Sequence, residues 1–239
     1  MSLLFPRRFT PDEVFTPRSP SVSQEMHVKR TDLERSLSNA IKGSKNSIVS
    51  GESGSGKTWL YKSVFEAEGV TFESVNLSNA SLKGPLDVAF KDKIDRLGVE
   101  SVVEVTKSGT AKIAPSRVGV EKGGSEKRTI GQKGPFETLL ANIRAKSGRS
   151  GKAILVYESF EQRIDNEQVF RSVSYTIILL DDDDLSRYNV KLCLVGVPND
   201  IKQYLPRASK NITIIANRVV EVAEVARLSL DEAKSLLRK

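Results

Sequence analysis

The sequence predicts an α/β fold, a parallel sheet sandwiched by helices. Three observations predict it. Apolar strand-like runs alternate with amphipathic helical segments along the chain. One of these runs, Ser47-Ile-Val-Ser50, leads directly into a glycine-rich loop, Gly51–Thr58, that opens a helix. The chain has 239 residues, 38% of them hydrophobic, which suffices for one large domain with a substantial core.

Taken in order, residues 1–26 hold four prolines, several Ser and Thr and no apolar period, and read as an extended N-terminal arm. Thr31-Asp-Leu-Glu34 has the spacing of a capping box, and Leu33, Leu37, Ala40 and Ile41 follow at helical intervals, predicting a helix over about 31–42. Ser47–Ser50 is a short buried strand. Lys57 to about Ala67 reads as a helix carrying Trp59, Leu60, Val64 and Phe65, stopped by Gly69. Val70–Leu77 alternates like a strand, and Pro85 to Leu97 reads as a helix with proline near its first turn.

Residues 107–133 break the pattern. They are rich in Gly, Ser, Thr and Lys, lack an apolar face, and read as a flexible basic insertion, a hairpin in form. Helical spacing resumes from Phe136 to Lys146. Ala153–Tyr157 is a buried strand, and Phe170, Val173, Ile177 and Leu180 line a helix. The acidic run Asp181–Asp184 reads as a solvated loop, since four adjacent carboxylates repel one another and cannot all face one ion. Leu192–Val195 is the next strand, Ile201–Leu205 a short helix, Ile212–Ile215 another strand, and Ser229 onward a last helix.

Composition excludes several chemistries. No stretch approaches the ~20 apolar residues of a membrane span, and the apolar run near the N-terminus is too short for a signal peptide and precedes its charges. A cytoplasmic location is the expectation. The single cysteine, Cys193, lies in a strand-like run and reads as a small core side chain; it rules out an internal disulfide and a cysteine metal cluster. His27 is the one histidine, so zinc chemistry built on several histidines is also out. The net charge of +7 is concentrated: residues 107–133 hold 7 Lys and Arg against 2 Asp and Glu, and residues 1–30 hold 5 against 3. The basic surplus belongs to the arm and the insertion, not to the core.

Gly51-Glu52-Ser53-Gly54-Ser55-Gly56-Lys57-Thr58 fits the phosphate-loop pattern G-x-x-x-x-G-K-[ST] at every position. The glycines let backbone N–H groups turn inward as an anion nest, to which the following helix adds its positive end. Lys57 is placed to reach β- and γ-phosphates, and the Thr58 hydroxyl to coordinate Mg²⁺. Trp59 follows directly.

A nucleotide hydrolase with this loop needs a carboxylate at the end of a neighbouring buried strand. Ala153-Ile-Leu-Val-Tyr-Glu158-Ser-Phe-Glu161 offers it in two alignments. In one, Glu158 is the magnesium acid and Ser159 stands where a catalytic acid would. In the other, Tyr157 takes the aspartate position and Glu158 is the catalytic base. The first leaves a metal-side carboxylate and implies slow hydrolysis, because serine is a poor base. Asn199 and Asp200 end the strand that begins at Lys191, where ligand crevices of such sheets lie; either is a candidate for the γ-phosphate or the attacking water, and turn chemistry beside Pro198 is the competing explanation. Arg207 and Arg218 are candidate arginine fingers, acting in cis or from a neighbouring subunit.

These motifs together resemble AAA+ and STAND-type ATPase modules. His27-Val28-Lys29-Arg30 is similar to the element that precedes their first helix near the adenine, with His27 in its aromatic place. The resemblance implies adenine-side roles for Val28 and Arg30. The Glu158 strand resembles Walker B, Leu194–Pro198 resembles sensor 1, and Asn217–Val222 resembles the short strand that closes the core. It covers about 27–227, with 107–133 as added material. It also implies a helical lid, missing or truncated, of which 228–239 would be the start.

The function so implied is an ATP-binding module that hydrolyses ATP slowly, with Mg²⁺, to drive a conformational or assembly switch, as a homo-oligomer or in a larger assembly. ATP is favoured over GTP because no Asn-Lys-x-Asp motif occurs. A nucleic-acid-binding ATPase of the transposition or loader type, using 107–133 for phosphate contacts, is a second reading. A scaffold that binds ATP without hydrolysing it is a third.

Overall fold

A computed structural model describes residues 27–77, 86–99, 103–107, 128–132, 134–159, 167–181, 183–197 and 212–237. Its elements, in chain order, are α1 (Thr31–Lys42), β1 (Asn46–Ser50), α2 (Lys57–Ala67), β2 (Thr71–Asn76), α3 (Leu86–Leu97), β3 (Val103–Lys107), β4 (Arg128–Gln132), α4 (Pro135–Ser147), β5 (Ala153–Glu158), α5 (Glu167–Leu179), α6 (Asp183–Ser186), β6 (Val190–Val197), α7 (Ile212–Arg218), β7 (Val219–Glu221) and α8 (Leu230–Leu237). The main sheet is five-stranded, in the order β2-β5-β6-β1-β7, and every pairing in it is parallel.

Alternation along the strands divides the core between the two faces. Ile48, Leu155, Tyr157, Leu192 and Leu194 pack on one side with the buried residues of α3, α4 and α5. Val49, Ile154, Val156, Cys193 and Val195 pack on the other against α1 and α2. β5 and the Leu192–Val195 part of β6 are buried on both faces, which is why they read as unbroken apolar runs. Cys193 is a core residue, as its setting predicts.

The predicted elements recur with three differences. Ile212–Ile215 reads as a strand by its β-branched residues but lies in helix α7, where Ile215 is buried against the α3–α5 side of the core; tertiary packing overrides a local preference. The strand of that region is the shorter β7, which closes the sheet beside β1. At α1 the N-cap is Arg30 rather than Thr31, so Glu34 stands at the fourth helical position and accepts the Arg30 backbone N–H at 3.0 Å, and no side chain caps the helix in the Thr31 register. The complete capping box occurs at α8, where Ser229 Oγ accepts the Glu232 N–H at 3.3 Å and Glu232 accepts the Ser229 N–H at 2.7 Å.

The ends of the predicted insertion pair as an antiparallel two-stranded sheet, β3 with β4, setting Lys107 opposite Arg128. The arm 1–26, the central part of the insertion, Pro85, Glu161, Asn199, Asp200, the expected 201–205 helix and Arg207 lie outside the described residues. Among the described residues, no helix is long and apolar enough to cross a membrane.

Candidate functional site

All strands of the main sheet point the same way, so the ends of β1, β2, β5 and β7 lie on one edge with the glycine-rich loop. Gly51, Gly54 and Gly56 have φ of 156°, 78° and 94°, a backbone that L side chains rarely adopt. At Gly51 a second constraint applies: an added Cβ would sit 2.3 Å from the Val225 carbonyl oxygen. The segment after β7 passes close against the start of the loop, held by the Val225 N–H on the Ser50 carbonyl at 2.8 Å. The glycine is therefore required by tertiary packing as well as by the turn.

Lys57 opens α2 with its side chain folded into the loop. It is only 8% exposed, and its ammonium donates to the carbonyls of Gly51 at 2.8 Å and Glu52 at 2.6 Å. The Ser55 hydroxyl is buried and hydrogen-bonds to nothing among the described residues. A buried cation, an unengaged buried hydroxyl and a helix N-terminus thus converge on one loop, and this donor set fits a bound polyphosphate. Ser53, Gly54 and Thr58 are exposed at its mouth, Gly56 and Trp59 are half-buried, and the exposed Glu52 carboxylate pairs outward with Arg227 at 2.7 Å.

Arg30 links the loop to its surroundings. Its guanidinium donates to the Ala226 carbonyl at 2.7 Å, reaches the Ser55 carbonyl at 3.5 Å, and lies 3.7 Å from the Glu232 carboxylate of α8. His27 Nε2 lies 2.9 Å from Glu34 Oε1, and Val28 between them is half-buried. The segment 27–30 is thus fastened against the outer side of the loop.

Glu158 ends β5 opposite Asn76 of β2. It continues the Ile154–Val156 face, the face that packs on α2, and the Tyr61 hydroxyl donates to its Oε1 at 2.7 Å. Tyr61 is fully buried and one helical turn beyond Lys57. Burial, and then the Glu158 carboxylate, push its pKa far above the ordinary phenol value, so it remains a neutral donor. Tyr157 faces the other way: it is fully buried, stacks on Phe90 and lies 3.4 Å from the Thr176 hydroxyl. Its side chain and that of Glu158 emerge on opposite faces of the sheet. Directly after Glu158, Ser159 adopts a φ of 59°, a left-handed conformation uncommon outside glycine and one that clusters at functional sites.

The structure separates Arg218 from this group. It ends α7 just before β7, at the opposite edge of the sheet, where its guanidinium pairs with Asp181. It is not a finger for a nucleotide in its own loop. Asp181 is accordingly part of an ion pair, and among the described residues no three or more acidic, histidine or cysteine side chains are grouped as a metal site. Tyr61 is the site residue that sequence reasoning passed over. Its signal was present, a hydroxyl four residues after the loop lysine on the helix face that α2 buries, but its partner lies 97 positions away.

The sequence matches no protein-family model and no curated protein. Solved structures do match. The ADP form of the Aeropyrum pernix ORC2 protein superposes with a TM-score of 0.57 at 17% identity over 92% of this chain. A Walker-type ATPase of Pyrococcus abyssi gives 0.53 at 12% identity, also over 92%. The ORC2 protein in its ADPNP–ADP complexes gives 0.50 at 15% identity over 86%. This chain spans 53%, 60% and 49% of those chains. At such identities the likeness establishes the fold alone, a parallel α/β sheet flanked by helices with a glycine-rich loop between β1 and α2.

Proposed function

We propose that this chain is an AAA+-like P-loop ATPase core that binds ATP at Gly51–Thr58 and hydrolyses it slowly to drive a conformational or assembly change. The observation that carries this is the loop itself: Lys57 held inside a glycine nest at the end of a central parallel strand, beside a buried and unengaged Ser55 hydroxyl. Lys57 binds the β- and γ-phosphates, and the backbone N–H groups of the loop orient them. Thr58 and Glu158 would hold Mg²⁺, which would supply positive charge to the phosphates. Glu158 is favoured as the metal-side acid because the neighbouring alternative, Tyr157, has its hydroxyl on the far face of the sheet. With Ser159 in the next position, the described residues offer no strong base beside it in sequence, and slow turnover follows. Arg30, which reaches the Ser55 carbonyl, and Val28 two residues before it would contact the base. Asn199 and a neighbouring subunit's copy of Arg207 complete the proposed site, with ATP bound between copies of the chain.

ATP binding by calorimetry and steady-state phosphate release test this reading, with Lys57→Ala as the control. Binding and release that both depend on Lys57 support it. Binding without release supports an ATP-dependent scaffold. No binding overturns it.

A second reading has its own observation. The basic insertion is anchored by a β-ribbon that sets Lys107 opposite Arg128, as befits an arm that contacts phosphate backbones. DNA binding that weakens steeply between low and high salt, and is lost when 108–127 is deleted, would make the protein a nucleic-acid-binding ATPase.

A further inference from the structure

The contact between Tyr61 and Glu158 joins the helix that begins at the phosphate loop to the strand that supplies the acid. Tyr61 has little freedom: its ring centroid lies 5.4 Å from that of Phe65 and 5.7 Å from that of Phe72, and these two rings lie 5.4 Å apart. Its hydroxyl is thus delivered at a fixed point, 2.7 Å from Glu158 Oε1. The next buried group on the same face, Cys193, has its thiol pushed up to about 12 by burial and is uncharged. In that dry corner the Tyr61 hydroxyl is the polar group that meets the inner carboxylate oxygen.

We propose that Tyr61 is a positioning residue for Glu158, pinning one carboxylate oxygen so that the other is presented to the magnesium ion of a bound nucleotide. This rests on the reading of Glu158 as the metal-side acid. A hydrogen bond from a ring held on two sides fixes the orientation of the carboxylate it meets. Tyr61 therefore makes Glu158 a better oriented ligand. Groups that orient a metal ligand from behind are commonly worth about 10- to 100-fold in metal affinity. The same bond ties the end of β5 to the helix carrying Lys57 and Thr58, so the two halves of the site keep one spacing.

The test is a magnesium titration of the ATP-bound chain, read by the fluorescence of Trp59, the only tryptophan. Tyr61→Phe keeps the ring and removes the donor. It is expected to raise the magnesium concentration at half-saturation about tenfold, while ATP binding in excess EDTA stays within about twofold of wild type. Glu158→Asp, which leaves the aromatic core untouched and shortens the carboxylate away from the hydroxyl, is expected to show the same defect. In Glu158→Gln the further change Tyr61→Phe should add nothing. An unchanged magnesium requirement in folded Tyr61→Phe, or effects that simply add in the double variant, overturns the proposal. If Glu158→Gln leaves the requirement unchanged, the metal role of Glu158 falls and the inference with it. A wild-type chain that binds no ATP removes the phosphate-loop reading first.

Discussion

At the edge where the strands begin, the Arg144 guanidinium donates to four backbone carbonyls: Gly148 and Gly151 in the turn before β5, and Tyr188 and Asn189 in the turn before β6. At the edge where they end, Lys57 donates to two carbonyls of its own loop. Both cations meet the same kind of acceptor, yet the settings differ. The Arg144 fork ties together two turns distant in sequence, and Lys191 nearby likewise donates to the Ile41 and Gly43 carbonyls at the end of α1. These bonds join elements and act as structural staples. The Lys57 bonds close a ring of a few residues beside exposed Ser53, Gly54 and Thr58 and can be exchanged for an anion without separating any pair of elements. A cation that joins distant segments reads as scaffold, and one that serves a single loop at the C-terminal edge reads as a site.

Substitutions at the two edges should therefore separate stability from binding. Lys57→Ala is expected to weaken ATP binding about a hundredfold or more, the equivalent of about 3 kcal/mol. Unfolding in denaturant should move by no more than about 1 kcal/mol. Calorimetry beside a denaturant curve reads both, and a large loss of stability would show that the lysine is structural. Arg144→Ala should do the reverse. It strands several carbonyls and is expected to lower stability by about 3 kcal/mol, while ATP affinity in the folded protein is retained. A folded Arg144→Ala protein that has lost ATP binding would break the contrast.

Within the site edge, Glu158→Gln is expected to leave magnesium-free ATP binding within about twofold and to abolish residual phosphate release; unchanged release would place the essential acid elsewhere. The smallest effect belongs to the first edge. Glu68 accepts hydrogen bonds from Lys152, Lys42 and Ser38, which hold its carboxyl well below the ordinary range, at about 2. A depressed folded-state pKa contributes stability above the unfolded value and loses it as pH falls through the folded one. Stability should accordingly decline as pH drops from about 4.5 toward about 2, and Glu68→Gln should flatten that part of the profile in thermal melts while leaving ATP binding alone.

The phosphate loop was legible because its geometry is local. Three glycines and a lysine at fixed spacing need no partner from elsewhere in the chain to identify them. β5 and β6 were legible for a related reason: burial on both faces leaves an unbroken apolar run, whereas the half-buried β2 shows alternation. Ile212–Ile215 misled because four β-branched and apolar residues fit a buried helix as well as a strand, and packing against α5 decided between them. Thr31 misled because a capping box is defined by a register that slipped one residue, whereas Ser229 and Glu232 form the complete box.

By itself the sequence determined the fold class and the loop, since both rest on periodicity and short-range spacing that neighbouring residues enforce. It left open which of Tyr157 and Glu158 faces the loop, where Arg218 stands and what holds the acid. Those answers needed the sheet. Strand alternation turns Tyr157 toward Thr176 and Glu158 toward Tyr61. The parallel order sends Arg218 to the far edge, and only the packing of α2 on β5 brings together two residues that the chain separates by 97 positions. Direction, face and long-range contact are properties of assembled elements, and no local pattern of residues contains them.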